Sequence, residues 1–144
     1  MLALNGLRVI YGGGSTGLMG VLADSALEAG GEVIGVITES MNTPVLAHSR
    51  LTRLEVVPLI HERKARMYAL SDGFIALPGG YGTLDELFEA LVLIQTHRIK
   101  PFPIVLLGKD FWSGLVDWFK ARLLAEGFVS TENLELFTVL DTPE

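Results

Sequence analysis

Short β-branched runs alternate along this chain with longer stretches of helical period, and two of the strand-to-helix junctions are rich in glycine. No other feature restricts the fold as much, because strands separated by helices pair in parallel and bury both faces under those helices. Residues 7–11, 33–37, 51–57, 74–77, 103–107 and 138–140 read as strands. Residues 18–29, 62–70, 84–95 and 111–125 read as helices. In the first helix Leu18, Val21, Leu22, Ser25 and Ala26 form the expected inner face, and Thr83 is placed to cap the third. The expectation is an α/β fold in one domain over residues 1–144, a parallel sheet with helices on both faces. Its ligand site would lie at the carboxyl ends of the strands.

Composition narrows what such a domain does. Hydrophobic residues make up 49% of the 144 and charged ones 19%, enough to fill a core and too apolar for a disordered chain. Seventeen acidic against eleven basic residues give a net charge of -6, which argues against general binding to nucleic acid. Cysteine is absent, so disulfides, thiolate metal sites and cysteine nucleophiles are excluded. With no membrane-length apolar run and no secretory pattern at the start, a cytoplasmic address and no membrane partner are expected. His48, His61 and His97 lack ligand spacing, so no metal is expected, and no Gly-x-Ser-x-Gly elbow supports acyl-enzyme chemistry.

Two turns and one charge run carry the candidate chemistry. Gly12-x-Gly14-x-x-Gly17 follows a strand and opens a helix, where unpaired N–H groups point at an anion. Gly13 and Gly14 would bring the backbone close to a phosphate, and Ser15 and Thr16 would add hydroxyl donors. The same turn can equally be a tight junction without a ligand. As a dinucleotide fingerprint it needs an acid about 20 residues on, and Glu39 lies near that place. Gly79, Gly80, Tyr81, Gly82 and Thr83 repeat the arrangement at a second strand end, followed by Asp85 and Glu86. A helix turns about 100° per residue, so one of these carboxylates faces a cleft while the other meets solvent. Arg63, Lys64 and Arg66 put three cations within four residues of an acidic chain. Such a run is either a solvated helix face or a fork for phosphate or carboxylate.

The run YGGGSTGLMG at 11–20, then ERKARM at 62–67, then LPGGYGTLDE at 77–86 resemble, in that order, the LONELY GUY (LOG) family of cytokinin riboside 5'-monophosphate phosphoribohydrolases. Older descriptions called these proteins lysine decarboxylases. The likeness covers nearly the whole chain, and the Pro-Gly-Gly-x-Gly-Thr-x-x-Glu signature paired with Arg-Lys upstream is specific. It implies a Rossmann-like fold and hydrolysis of the N-glycosidic bond of an N6-modified adenosine monophosphate, or of AMP, to free base and ribose 5-phosphate.

By motif, Arg63 and Glu86 match the catalytic pair. Lys64, Gly80, Tyr81, Gly82 and Thr83 match nucleotide-binding positions. No cofactor is implied, and a homodimer or larger homo-oligomer is. The chemistry fits these residue types. Bond cleavage develops an oxocarbenium-like sugar, which a carboxylate stabilises, or the carboxylate draws a proton from attacking water. A pyridoxal decarboxylase would need a Schiff-base lysine and a large cofactor pocket, and only Lys64 sits at a candidate site.

Three departures from the family pattern stand out. The family pattern leads to the expectation of a further strand, Gly-Ser loop and helix before the segment that starts here at Leu2. Val45 stands where an acidic residue is common near the base. Residues 95–118 resemble the longer bacterial members. Two other functions fit the residues: a nucleotide-binding module without catalysis, and a nicotinamide-binding domain built on Gly12, Gly14, Gly17 and Glu39.

Overall fold

The computed structural model describes residues 1–143; Glu144, included in the expected domain, lies outside them. Six strands form close to the expected places: β1 (Val9–Tyr11), β2 (Val33–Thr38), β3 (Arg53–Val57), β4 (Phe74–Ala76), β5 (Ile104–Leu107) and β6 (Phe137–Leu140). Every pairing among them is parallel. They fall into two three-stranded sheets, ordered β1-β2-β3 and β4-β5-β6. The expected parallel α/β pairing is thus present, with the strands in two sheets instead of one. The residues likewise cluster into two compact units that divide after Ser71.

In the first unit β2 lies between two strands, and all six of its residues are buried. A strand paired on both sides and covered by helices reads as an unbroken apolar run, which Val33, Ile34, Val36 and Ile37 supply. Helix α1 (Gly17–Glu28) packs on β1 and β2, and α2 (Ile60–Leu70) on β1, β2 and β3. The inner face of α1 is Gly20, Ala23 and Ala26. Of the expected set only Ala26 is buried; Leu18, Val21 and Ser25 are exposed and Leu22 is half-buried. At Gly20 no side chain fits because the helix lies so close to the turn before it. A Cβ on Gly20 would fall 2.1 Å from the Ser15 carbonyl oxygen.

In the second unit α3 (Tyr81–Gln95) starts earlier than expected, so Thr83 lies inside the first turn and the N-cap is Gly80. Helix α4 (Lys109–Trp118) packs on β5 and β6 around Trp112, whose Nε1–H donates to the Leu107 carbonyl at 3.1 Å. The continuous helix expected over 111–125 is interrupted: from Phe119 to Leu124 it widens into a π-helix. Phe119 is buried there, with ring centroids 5.9 Å from Phe88 and 6.1 Å from Phe137. A short α5 (Thr131–Leu134), closed by a Ser130–Asn133 capping box, escaped the sequence reading.

Candidate functional site

The charge run on α2 separates into two chemistries. Arg66 is exposed and grips Glu55 of β3 through two bonds, Nε at 2.5 Å and Nη2 at 3.1 Å. Its hydrogen bond, with a smaller push from Arg53, holds the Glu55 carboxyl below its ordinary pKa. This cation is a surface ion pair. Arg63 and Lys64 are instead buried, at 8% and 7% exposure. Burying a cation is costly unless polar groups receive it. The Arg63 guanidinium lies at the carboxyl ends of β1 and β2, donating from Nε to the Val36 carbonyl at 2.9 Å and from Nη2 to the Gly12 carbonyl at 3.3 Å.

The triple-glycine turn is packed tightly from several sides. Gly13 has a φ of +75°, and a Cβ there would come within 3.2 Å of Ile37 Cβ and Leu54 Cδ1. A Cβ on Gly14 would meet Met19. The loop after β2 is laced onto this turn. His48 N–H donates to the Gly13 carbonyl at 3.0 Å, Ser15 N–H to the Leu46 carbonyl at 2.9 Å, and the Tyr11 hydroxyl to the Gly14 carbonyl at 3.0 Å. The Ser15 hydroxyl hydrogen-bonds to the carbonyls of Val45 and Leu46. Thr16 is exposed at the N-cap of α1, and Glu39 is exposed in the 3-10 turn after β2.

A polar cluster that the sequence did not announce holds the same loop. The His48 ring is buried; its Nδ1 accepts the Arg50 backbone N–H at 3.2 Å, so Nε2 carries the proton and donates to Asp24 at 3.1 Å. Asp24 also receives the Arg50 guanidinium. The His48 bond, with help from Arg50, keeps the Asp24 carboxyl below its ordinary pKa. Burial, and secondarily the Asp24 charge, pushes the Tyr11 hydroxyl up to about 12. Contacts 24 residues apart in sequence leave no spacing signal to read. Beside the cluster opens a cavity of about 500 Å³, lined by Asn42, Thr43, Pro44, His48, Leu51 and Leu54 among others.

In the second unit the sharp break after β4 comes from Pro78, Gly79 and Gly80, and α3 begins at once. No side chain caps Gly80, so the helix presents its first N–H groups and the positive end of its dipole at this strand end. Gly79 is needed because a Cβ would lie 2.2 Å from Thr83 Oγ1. Tyr81 is 92% exposed. Asp85 is exposed and Glu86 half-buried, the split that their 100° separation requires. Among the described residues no three His, Asp or Glu groups gather as a metal ion needs, and no helix is long and apolar enough to cross a membrane.

A family model described as "Possible lysine decarboxylase" matches residues 19–144. The chain belongs to this family, the LOG family. A cytokinin riboside 5'-monophosphate phosphoribohydrolase of Rhodococcoides fascians is 46% identical over 132 residues, covering 90% of this chain and 65% of that protein. The Arabidopsis thaliana protein LOG4, of the same name, is 40% identical over 130 residues, 90% of this chain and 60% of its own. The probable phosphoribohydrolase LOGL3 of Oryza sativa subsp. japonica is 40% identical over 129 residues, 90% of this chain and 61% of its own. The chain thus spans just under two thirds of the length of these curated relatives. Among solved structures it is similar to the molybdenum cofactor binding protein of Rippkaea orientalis, with a TM-score of 0.71 and 25% identity over 99% of this chain and 74% of that one. The molybdenum cofactor carrier protein of Chlamydomonas reinhardtii gives 0.66 at 25% identity, covering 96% and 71%. This LOG-family chain therefore has the α/β fold that its alternating pattern implied.

Proposed function

We propose that this LOG-family chain hydrolyses the N-glycosidic bond of an adenosine 5'-monophosphate, N6-modified or plain, releasing the base and ribose 5-phosphate. The observation that carries this reading is the separation within α2. Arg66 is spent on a surface partner, whereas Arg63 and Lys64 are buried, Arg63 at a pair of strand ends where α/β proteins bind ligands. The names of the curated relatives supply the reaction.

In the proposed mechanism the electron pair of the C1'–N9 bond leaves with the base, and positive charge develops on the sugar. The Glu86 carboxylate stabilises that charge and takes a proton from the water that adds its oxygen to C1'. The departing base picks up a proton, which completes the hydrolysis. Arg63 and Lys64 offer their charges to the nucleotide. Gly80, Tyr81, Gly82 and Thr83 present backbone N–H groups to the phosphate, a remote handle whose binding positions the reacting carbon. Gly13 and Gly14 offer a nucleotide their backbone alone. The open cavity beside His48 takes the base against Pro44, Leu51 and Leu54. The proposal includes a homodimer or larger assembly, to be read by analytical ultracentrifugation, and a cytoplasmic address.

The experiment is incubation with AMP and isopentenyladenosine monophosphate, with free base assayed by chromatography. Glu86→Gln should reduce base release by about 10²-fold or more with the circular dichroism spectrum unchanged; full turnover in that variant removes Glu86 from the mechanism. The two cofactor-binding neighbours motivate a second reading, a nucleotide-binding module without catalysis. Saturable AMP binding with no base released would favour it.

A further inference from the structure

We propose that Gly12 is a positioning residue that acts through Arg63: the space left by its missing side chain is where the guanidinium lies, and its carbonyl, with that of Val36, accepts from it and helps fix it. This rests on the reading that Arg63 takes part in the reaction. A Cβ built on Gly12 would fall 1.9 Å from Arg63 Nη2 and 3.1 Å from its Cζ, far inside contact distance. The next nearest atom, Met19 Sδ at 3.6 Å, is an ordinary neighbour. The clash is thus confined to one side chain.

A buried guanidinium cannot move aside at small cost, because Nε is already given to the Val36 carbonyl and Nη2 to the carbonyl of Gly12 itself. Two acceptors on different elements fix both the plane and the position of the fork. Any side chain at position 12 therefore shifts the head group of Arg63, at a place where about an ångström of misplacement costs heavily in rate. The usual account of a glycine in such a turn is backbone approach to a phosphate. Here the group that approaches closely is a cation of the protein.

The test combines Gly12→Ala, Arg63→Ala and the double variant, with base release from AMP as one readout. Gly12→Ala should lower kcat by roughly the factor of Arg63→Ala, about 10²-fold, and leave KM within a few-fold. In the Arg63→Ala background the second change should cost nothing further, in turnover or in melting temperature. If Gly12→Ala alone does not fold, the double variant should. An equal loss in both backgrounds, or a double variant that also fails to fold while Arg63→Ala folds, overturns the proposal.

A second readout needs no activity. In ¹⁵N-labelled protein the Arg63 Nε–H signal, assigned by its loss in Arg63→Lys, should be protected from exchange and should move or vanish in Gly12→Ala. The other arginine signals should stay in place. An unmoved Arg63 signal overturns the positioning role. Arg63→Ala with full turnover instead overturns the catalytic reading and leaves the signal to decide the geometry.

Discussion

Gly13 and Gly30 share a φ of +75°, yet one is enclosed and the other is not, which makes them a matched pair for separating packing from backbone strain. Nothing lies within 4 Å of a Cβ built on Gly30, whereas Gly13 would meet Ile37 Cβ and Leu54 Cδ1 at 3.2 Å each. An L-residue in the left-handed region costs about 1–2 kcal/mol. Replacing glycine also restricts the unfolded chain, which returns about 0.4–1 kcal/mol. Both terms are common to the two sites, so Gly30→Ala should destabilise by about 1 kcal/mol. Gly13→Ala adds the overpacking of a buried site, about 1–3 kcal/mol more. Both positions lie in the first unit, so they report on the same unfolding event. Denaturant titration by far-UV circular dichroism should show the larger midpoint shift for Gly13→Ala at an unchanged slope. Equal losses at the two sites would refute the packing argument. So would a Gly13→Ala variant as stable as the starting protein that no longer binds AMP, since Gly13 would then serve the ligand and not the core.

With the Tyr11 hydroxyl raised to about 12, the folded state holds its proton after the unfolded chain has released it near 10. Stability should therefore fall as pH rises from about 10 to 12, and Tyr11→Phe should remove that decline and the late fraction of the absorbance titration. Losing the hydroxyl's bond to Gly14 should itself cost about 0.5–1.5 kcal/mol at neutral pH, read by denaturant titration. The Asp24 carboxyl, held low chiefly by His48, stabilises the fold above the ordinary carboxylate value of about 3.9 and ceases to as pH drops through its lowered value. Melting temperatures of the starting protein and Asp24→Asn should thus differ near pH 7 and converge in strong acid. In the second unit Trp112→Ala should destabilise by about 3–5 kcal/mol, through the cavity left and the Leu107 carbonyl orphaned; a shift under 1 kcal/mol in denaturant would contradict the packing seen around it.

Sequence alone was enough to locate most of the elements and the turns between them. Apolar runs of strand length, glycine breaks and helical period are local properties, so β2, β5, α2 and the junction at Gly79 and Gly80 were legible without a partner in view. The difference between Asp85 and Glu86 was also legible, because it follows from helix geometry. Other features depended on what each residue meets. Arg63 and Arg66 are identical side chains three positions apart, and only tertiary packing decides that one enters the core beneath Gly12 while the other reaches Glu55 at the surface. The loop clamped by His48 and Asp24 has the same origin: it is held by a contact between residues 24 positions apart, and periodicity along one segment carries no record of it.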